Sequence, residues 1–321
     1  MKILVTGGAG FIGSNFIRYI FKKYPDYKIV NFDNLTYAGN LENLKDFDEN
    51  LNYEFVKGDI ADEKAVNKVL SSGDFDAIIN YAAETHVDRS ITWPKDFIMT
   101  DVLGTYTLLE AAKKHKIKRY IQISTDEVFG STANGTFTEQ SPFMPNSPYS
   151  ASKAGADHLC RAYFSTYGLP VIVTHSCNVY GPYQYPEKII PLFVTNLIRG
   201  RKVPVYGDGK NVREWLYTED HCYAIDLVLH KGKIGEVYNI GSGEEISNLE
   251  LTYQILAHVG KSEEEIVHIE DRLGHDKRYA IDSSKIKNEL GFTPKHSFAE
   301  SLKDTIGWYT KNQWWWERLV K

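Results

Sequence analysis

The chain carries only three cysteines, Cys160, Cys177 and Cys222, with no CxxC pair among them. That argues against both a disulfide framework and a structural zinc site. No histidine and carboxylate spacing suggests any other metal. Long apolar runs are also missing: each is a few residues, far short of the roughly 20 that a membrane helix requires. Nor is there a basic excess. The formal net charge is -5 over 321 residues, which argues against nucleic-acid binding but leaves room for a local basic pocket. The N-terminal Met1-Lys2-Ile3-Leu4-Val5-Thr6 runs straight into a strand, with no charged stretch, apolar core and cleavage site. The expectation is a cytoplasmic enzyme without membrane contact.

What is present is an ordinary globular composition, 42% apolar and 25% charged. A chain of this length buries roughly three-quarters of its unfolded surface and needs no covalent staple. In the first half, buried strand-like runs alternate with helical periodicity. Lys2–Thr6, Lys28–Phe32, Tyr53–Val56, Ala77–Tyr81, Arg119–Ser124 and Leu169–Thr174 read as strands. Helices are predicted over 62–71, 95–116 and 149–167, with another after the first strand. Alternation of this kind implies right-handed βαβ units, and unbroken apolar strands imply a sheet covered on both faces. The fold class is α/β: a Rossmann-type doubly wound parallel sheet with a smaller C-terminal α/β substrate-binding lobe. The division falls at residues 1–176 and 177–321, with later segments returning to the first lobe. Ser262–Glu265 is expected to open a surface helix. Trp314, Trp315 and Trp316 cannot all face one side of a helix, so packing or an oligomer contact is expected of them.

Gly7, Gly10 and Gly13 follow the first strand and open a helix. A dinucleotide-binding turn needs this context, because the diphosphate meets backbone N–H groups at a helix N-terminus. Asp33 closes the second strand, where a carboxylate binds both ribose hydroxyls and repels a 2′-phosphate. No arginine lies between Asn31 and Asn40. The cofactor is therefore read as NAD. Asp59, after the third strand, is a candidate for the adenine edge. Tyr149 and Lys153, at i and i+4, share one helix face, so the lysine can hold the nicotinamide ribose and lower the tyrosine pKa. Ser124 ends a strand that faces such a tyrosine.

Asn80-Tyr81-Ala82-Ala83, Ser124 and Tyr149-Ser150-Ala151-Ser152-Lys153 resemble the extended short-chain dehydrogenase/reductases. Asn178-Val179-Tyr180-Gly181-Pro182 and Arg213-Glu214-Trp215-Leu216 resemble their nucleotide-sugar branch. Ala83–Ser90, Ser124–Gly130 and Gly274–Asp282 are similar to the dTDP-glucose 4,6-dehydratase family over nearly the whole chain. Leu273 departs from it, standing where that family usually has proline. The resemblance extends the cofactor set to Phe11, Ile12, Asn34, Ile60, Ala82, Ala83 and Thr100. It implies dTDP-glucose as substrate and NAD reduced and reoxidised within one turnover. Tyr149 would take the C4 hydroxyl proton, and Thr125 would orient that hydroxyl. Elimination then needs a base at C5 and an acid at C6. Asp126 and Glu127 supply two carboxyls, and neighbouring carboxyls in a dry pocket split their pKa values. The resemblance makes Asp126 the acid and Glu127 the base; the residues alone leave that order open. Helix capping is the competing reading of Thr125-Asp126-Glu127.

The diphosphate calls for converging cations. Arg213 and Arg272 are the candidates for bidentate clamps, with Lys188 in support. Asn178 and Asn248 are placed at phosphate or nucleoside, and Tyr206 beside Pro204 at the base. Glu84 and His275 complete the substrate set. His86 and Asp88 are expected to shape loops. A UDP-sugar 4-epimerase, a UDP-glucuronate decarboxylase and a non-catalytic NAD-binding protein remain alternatives on the same fold. The adjacent carboxyls favour dehydration. The family resemblance further implies a homodimer formed through 95–116 and 149–167. Phe97, Leu103, Tyr106, Leu109, Leu159, Tyr163 and Phe164 are its candidate faces.

Overall fold

Ile3, Leu4 and Val5 are buried completely, as an apolar strand between two helical layers must be. In the computed structural model, which describes residues 1–320, they form the centre of β1 (Lys2–Thr6). After β1 come α1 (Phe11–Lys23), β2 (Lys28–Asp33), β3 (Tyr53–Lys57), α2 (Glu63–Leu70) and β4 (Ala77–Asn80). The chain continues through α3 (Val87–Thr92), α4 (Pro94–Phe97), α5 (Thr105–Lys114), β5 (Tyr120–Thr125), α6 (Pro148–Tyr167) and β6 (Val171–Ser176). The second half holds β7 (Asn178–Tyr180), α7 (Ile189–Ile198), β8 (Val203–Tyr206), β9 (Val212–Tyr217), α8 (Thr218–Lys231) and β10 (Val237–Ile240). It ends with β11 (Glu245–Ser247), α9 (Asn248–Val259), β12 (Ile266–Ile269), α10 (Ser284–Leu290), α11 (Phe298–Lys311) and α12 (Gln313–Trp316).

The main sheet has seven strands in the order β10-β6-β5-β4-β1-β2-β3, and every pairing in it is parallel. The order reverses between β1 and β4. A crevice therefore opens beyond the carboxyl ends of those strands, where open α/β sheets bind ligands. One apolar layer joins α1 and α8 to one face, and a second packs α2, α5 and α6 on the other. β10 is drawn from the second half onto the sheet edge beside β6. A third cluster, of Ile190, Phe193, Trp215, Leu251, Leu302 and Trp316 among others, forms a separate core around the three-stranded sheet β11-β9-β7.

Three sequence expectations need correction. The helix over 95–116 is not uniform, because Ile98–Gly104 is wound as a π-helix between α4 and α5. The wider turn brings Asp101 inward, where it accepts from Glu84 N at 3.0 Å and from Ser152 Oγ at 2.5 Å. A repeat of apolar residues does not reveal one inserted residue per turn. Ser262–Glu265 opens only a single 3₁₀ turn, and Ile266-Val267-His268-Ile269 then pairs with β8, as β-branched residues favour. Of the residues expected on an intersubunit face, Phe97, Leu109 and Tyr163 pack inside their own subunit, whereas Leu103, Tyr106 and Phe164 stay exposed. Leu159 is partly buried against the core that holds α2, α5 and α6.

The tryptophan cluster resolves as packing. Trp315 Nε1 donates to Asn43 Oδ1 and Trp316 Nε1 to the Tyr309 carbonyl, each at 2.8 Å, while Trp314 stays exposed.

Candidate active site

The glycine turn between β1 and α1 is forced by packing. Gly7 has φ +65°, and a Cβ there would stand 2.5 Å from the Ala82 backbone nitrogen. A Cβ on Gly13 would meet the Gly7 carbonyl at 2.4 Å. The turn thus passes against β4's continuation, and α1 begins at Phe11 with its first N–H groups facing the crevice. Asp33 sits at the end of β2, buried, with Oδ2 accepting from Ala9 N at 2.9 Å and Oδ1 from Leu35 N at 2.7 Å. Burial pushes its pKa up against those two bonds. Each oxygen keeps a lone pair for a hydroxyl pair. Asn34 Nδ2 donates to Asp59 Oδ2 at 2.9 Å, so these two candidates form one wall.

A cleft of about 290 Å³ collects Gly7, Gly10, Phe11, Ile12, Gly13, Asp33, Asn34, Asp59, Ile60, Ala82, Ala83, Glu84, Thr100, Ser124, Thr125, Asp126, Glu127, Tyr149 and Lys153. All the residues expected around the cofactor therefore meet in one crevice. Dimension and donor set suit a dinucleotide: an N-terminal amide cradle at one end, a ribose carboxylate, and a Tyr/Lys pair at the other.

Ser147 caps α6 in a capping box with Ser150, and Pro148 takes the first helical position. Tyr149 is thereby fixed in the first turn, with Lys153 one turn on. The lysine does not bond the phenol; its Nζ donates to the Ile123 carbonyl at 2.8 Å. Burial, with the charges of Glu127 and Asp101, holds the Tyr149 phenol well above its ordinary pKa, while the Thr125 side chain pulls the other way. The expected lowering rests on Lys153 together with the positive nicotinamide, and the protein without cofactor holds the phenol up. Positive charge must arrive with the ligand.

Thr125 is the last residue of β5, and Asp126–Phe129 is a 3₁₀ turn whose cap is Thr125 Oγ1, accepting from Glu127 N at 3.2 Å. Capping and catalysis are not alternatives here. The cap sets both carboxyls beyond the strand end, on the cleft. Asp126 is buried, and its Oδ2 has no hydrogen-bond partner among the described residues. Burial, then Glu127 and Glu214, drive its pKa well up. Glu127 is also raised by burial, but Arg213, Lys188 and Arg272 pull it down. Both carboxyls are thus raised, Asp126 well up, while at Glu127 three cations oppose the effect of burial.

A second cavity of about 200 Å³ adjoins the cleft and shares Glu127, Asn178 and Lys188 with it. Pro204, Tyr206, Arg213, Asn248, Arg272 and His275 line it, so the expected nucleotide residues also converge. Their present bonds differ from simple clamps. Arg213 donates to the Val212 carbonyl at 2.7 Å and the Asp276 carbonyl at 2.9 Å, with its guanidinium 4.2 Å from the Tyr279 ring centre. Arg272 forms an ion pair with Asp88 at 2.5 Å and stands over Tyr206. Lys188 Nζ donates to the Thr85 carbonyl at 2.6 Å, and burial lowers its pKa. His275 Nδ1 meets Asp271 Oδ1 at 2.6 Å. His86 does shape a loop: its Nδ1 caps α3, and burial with the Lys188 charge lowers its pKa to about 4.

Sequence reasoning missed Asp276 and Tyr279. Tyr279 Oη donates to Asp276 Oδ2 at 2.7 Å and to Glu127 Oε2 at 3.4 Å. Both lie in the Gly274–Asp282 segment already singled out, and that is the only signal that pointed to them. It also missed a strap across the cleft, where Tyr37 Oη donates to Glu187 Oε1 at 2.8 Å and the Tyr37 ring lies 3.8 Å from the Arg89 guanidinium.

The comparisons agree with this geometry. A family model described as GDP-mannose 4,6 dehydratase matches residues 4–305. The chain is 51% identical to a dTDP-glucose 4,6-dehydratase from Streptomyces niveus, over 99% of this chain and 96% of that one. It is 53% identical to a low-salt glycan biosynthesis protein from Haloferax volcanii, over 96% of this chain and 98% of that one. Among solved structures, a dTDP-glucose 4,6-dehydratase from Streptomyces venezuelae, with NAD and TDP bound, superposes with a TM-score of 0.97 at 51% identity, each chain covered completely. A UDP-glucose 4-epimerase from Thermotoga maritima shares the fold at TM-score 0.91 but only 31% identity, over 98% of this chain and 100% of that one.

Proposed function

The chain belongs to the GDP-mannose 4,6 dehydratase family of nucleotide-sugar enzymes, and from that premise we infer that it dehydrates dTDP-glucose to dTDP-4-keto-6-deoxyglucose. It is an NAD-dependent lyase. The observation that carries this reading is the pair Asp126-Glu127 at the carboxyl end of β5, where the cofactor cleft meets the nucleotide cavity.

NAD, when bound, accepts the C4 hydrogen of the sugar as hydride and returns it to C6. The amide turn at Gly7–Gly13 and the Asp33 carboxylate would hold it, with Lys153 at its second ribose. Tyr149 takes the C4 hydroxyl proton, and Thr125 orients that hydroxyl. The resulting ketone acidifies C5–H, which Glu127 removes. Asp126 protonates the departing C6 hydroxyl, so water leaves. A proton then returns to C5. Arg213, Arg272 and Lys188 neutralise the diphosphate, Asn178 and Asn248 bond it or the nucleoside, and Tyr206 with Pro204 flanks the base. Glu84 lines the cofactor cleft and His275 the adjoining cavity. The separate core around β9 supports reading 177–321 as the substrate lobe.

Exposed apolar side chains support a homodimer. Trp93, Met99, Leu103, Tyr106 and Phe164 remain exposed along the helices that follow β4 and β5. We read the enzyme as cytoplasmic; no helix of the described residues is long and apolar enough to cross a membrane.

The test is substrate labelled with deuterium at C4. Deuterium should arrive at C6, solvent deuterium should enter C5, and added NAD should not be consumed. A galactose-type epimer without the 4-keto-6-deoxy sugar would overturn the reading.

A further inference from the structure

Behind the hydride site lies a polar group that the chemistry above does not use. Tyr149, Lys153 and Asp157 stand at i, i+4 and i+8 on α6, so all three share one helix face. Asp157 is buried, its side chain 3% exposed. Its Oδ2 accepts from Ser124 Oγ at 2.6 Å and meets His175 Nε2 at 3.2 Å. His175 lies on β6, with its side chain 1% exposed. Phe129 and Phe143 close over it edge-on, with ring centres 4.9 and 5.4 Å away.

The other ring nitrogen decides the protonation. His175 Nδ1 faces Asn239 Oδ1 at 3.3 Å. The Asn239 amide cannot be turned round, because its Nδ2 donates to the Phe137 carbonyl at 3.0 Å. A flipped amide would set oxygen against oxygen there. Asn239 therefore offers an acceptor, so Nδ1 must carry a hydrogen. Nε2 then faces a carboxylate oxygen. Either Nε2 also carries a hydrogen, opposite an ionised Asp157, or Asp157 carries it and Nε2 accepts. Both states place one proton between the two residues, and no third state satisfies both ring nitrogens; Asp157 Oδ1 has no hydrogen-bond partner among the described residues. Other charged or titratable groups facing the couple are Lys153 on the same face of α6, Asp101, Tyr120 and Cys160, which feel the Asp157 charge, and Glu139, which accepts from the Asn239 backbone N–H at 3.0 Å.

We propose that Asp157 and His175 are a buried, proton-sharing couple that positions Ser124 as a hydrogen-bond acceptor at the nicotinamide end of the cleft. The Ser124 hydroxyl hydrogen is committed to Asp157, which leaves the oxygen lone pairs facing the crevice that Ser124 lines with Tyr149 and Lys153. The group opposite must then be a donor, such as a carboxamide N–H or a hydroxyl. Asp157 and His175 touch neither substrate nor cofactor; they are positioning residues. The proposal rests on the reading of Ser124, Tyr149 and Lys153 as the hydride site.

Two measurements on the holoenzyme test it. In nitrogen-15 NMR with labelled histidine, the His175 Nδ1 signal should lie in the protonated range, with an exchange-protected proton on the shared bond. A His175 Nδ1 that carries no proton overturns the couple, whatever the enzyme's activity. In kinetics, Ser124→Ala and Asp157→Asn should each lower kcat about 10- to 100-fold with KM little changed, and the double variant should lose no more than either single one. Additive losses, or a Ser124→Ala enzyme as fast as the parent, refute the positioning role. If Asp157→Asn does not fold, His175→Asn takes its place: it must abolish the protected proton and lower kcat without raising KM, and failure of either overturns the proposal. A parent protein that turns over no dTDP-glucose would instead defeat the functional reading and leave the NMR outcome to judge the couple.

Discussion

Glu127→Gln replaces a carboxylate by an amide of nearly equal size, so packing survives and the base is lost. A positioned general base contributes roughly 10²- to 10⁴-fold, and kcat should fall by that factor, about 2.7 to 5.4 kcal/mol of barrier. The surroundings make the other parameters predictable. Arg213, Lys188 and Arg272 are the cations that pull Glu127 down, and the substitution frees their field for the diphosphate. KM should therefore stay level or fall. The Glu127 charge is also one of the three that hold the Tyr149 phenol up, so its removal eases the first proton transfer. Oxidation at C4 should proceed at least as fast as in the parent, while elimination stalls. The assay is a single turnover followed by reduced-nicotinamide absorbance, with deuterium uptake at C5 read by mass spectrometry. Expected are accumulation of the reduced ring and loss of C5 exchange. Product formed at the parental rate, with full C5 labelling, would show that another group is the base.

Tyr37→Phe removes the bond to Glu187 that straps the cleft; a hydrogen bond to a charged group is worth about 1.5 to 3 kcal/mol, so bound NAD should escape about 10- to 100-fold faster in a dilution and filtration assay. Gly7→Ala sets a Cβ against the Ala82 backbone at positive φ and should destroy the turn, read as a lowered melting temperature that added NAD no longer raises. Glu84 has its pKa raised to about 7, chiefly by burial and then by Asp101. A carboxyl raised in the folded state costs nothing while protonated in both states, and its penalty grows as pH rises from its ordinary 4.5 through 7. Glu84→Gln should therefore melt like the parent near pH 4 and above it at pH 8; equal melting at pH 8 would refute the assignment.

Most of the sheet was legible because buried parallel strands are dominated by apolar residues, as in β1, β4 and β6; β3, with Glu54 and Lys57 exposed, is the exception. The glycine turn, Asp33, Tyr149 and Lys153 were legible because their spacing is local. What escaped depends on distance or on a small change of helical winding. Asp101 turns inward only because Ile98–Gly104 takes a π turn. Phe97 and Leu109 belong to helices that are apolar on more than one side, and periodicity cannot say which side meets the partner. Arg272 is paired with Asp88 across 184 residues, and His175 reaches Asp157 from a neighbouring strand. No motif records such meetings.

The two adjacent carboxyls are chemically alike, and their division of labour comes from the second half of the chain. Glu214 on β9 adds negative charge beside Asp126 and helps to keep it protonated. Arg213, the next residue on the same strand, points to the opposite face, where with Lys188 and Arg272 it favours the ionised form of Glu127. Arg213 pulls both carboxyls down, but Glu214 opposes it at Asp126, whereas Lys188 and Arg272 join it at Glu127. Arg213 is itself held by the Asp276 carbonyl and lies against Tyr279, whose hydroxyl reaches Glu127. In the reading proposed above, the acid and the base come from one turn after β5, and β9 with the segment that packs along it biases which is which. A seven-stranded sheet with a Tyr/Lys pair is enough to move a hydride; expelling water requires this second set of contacts as well.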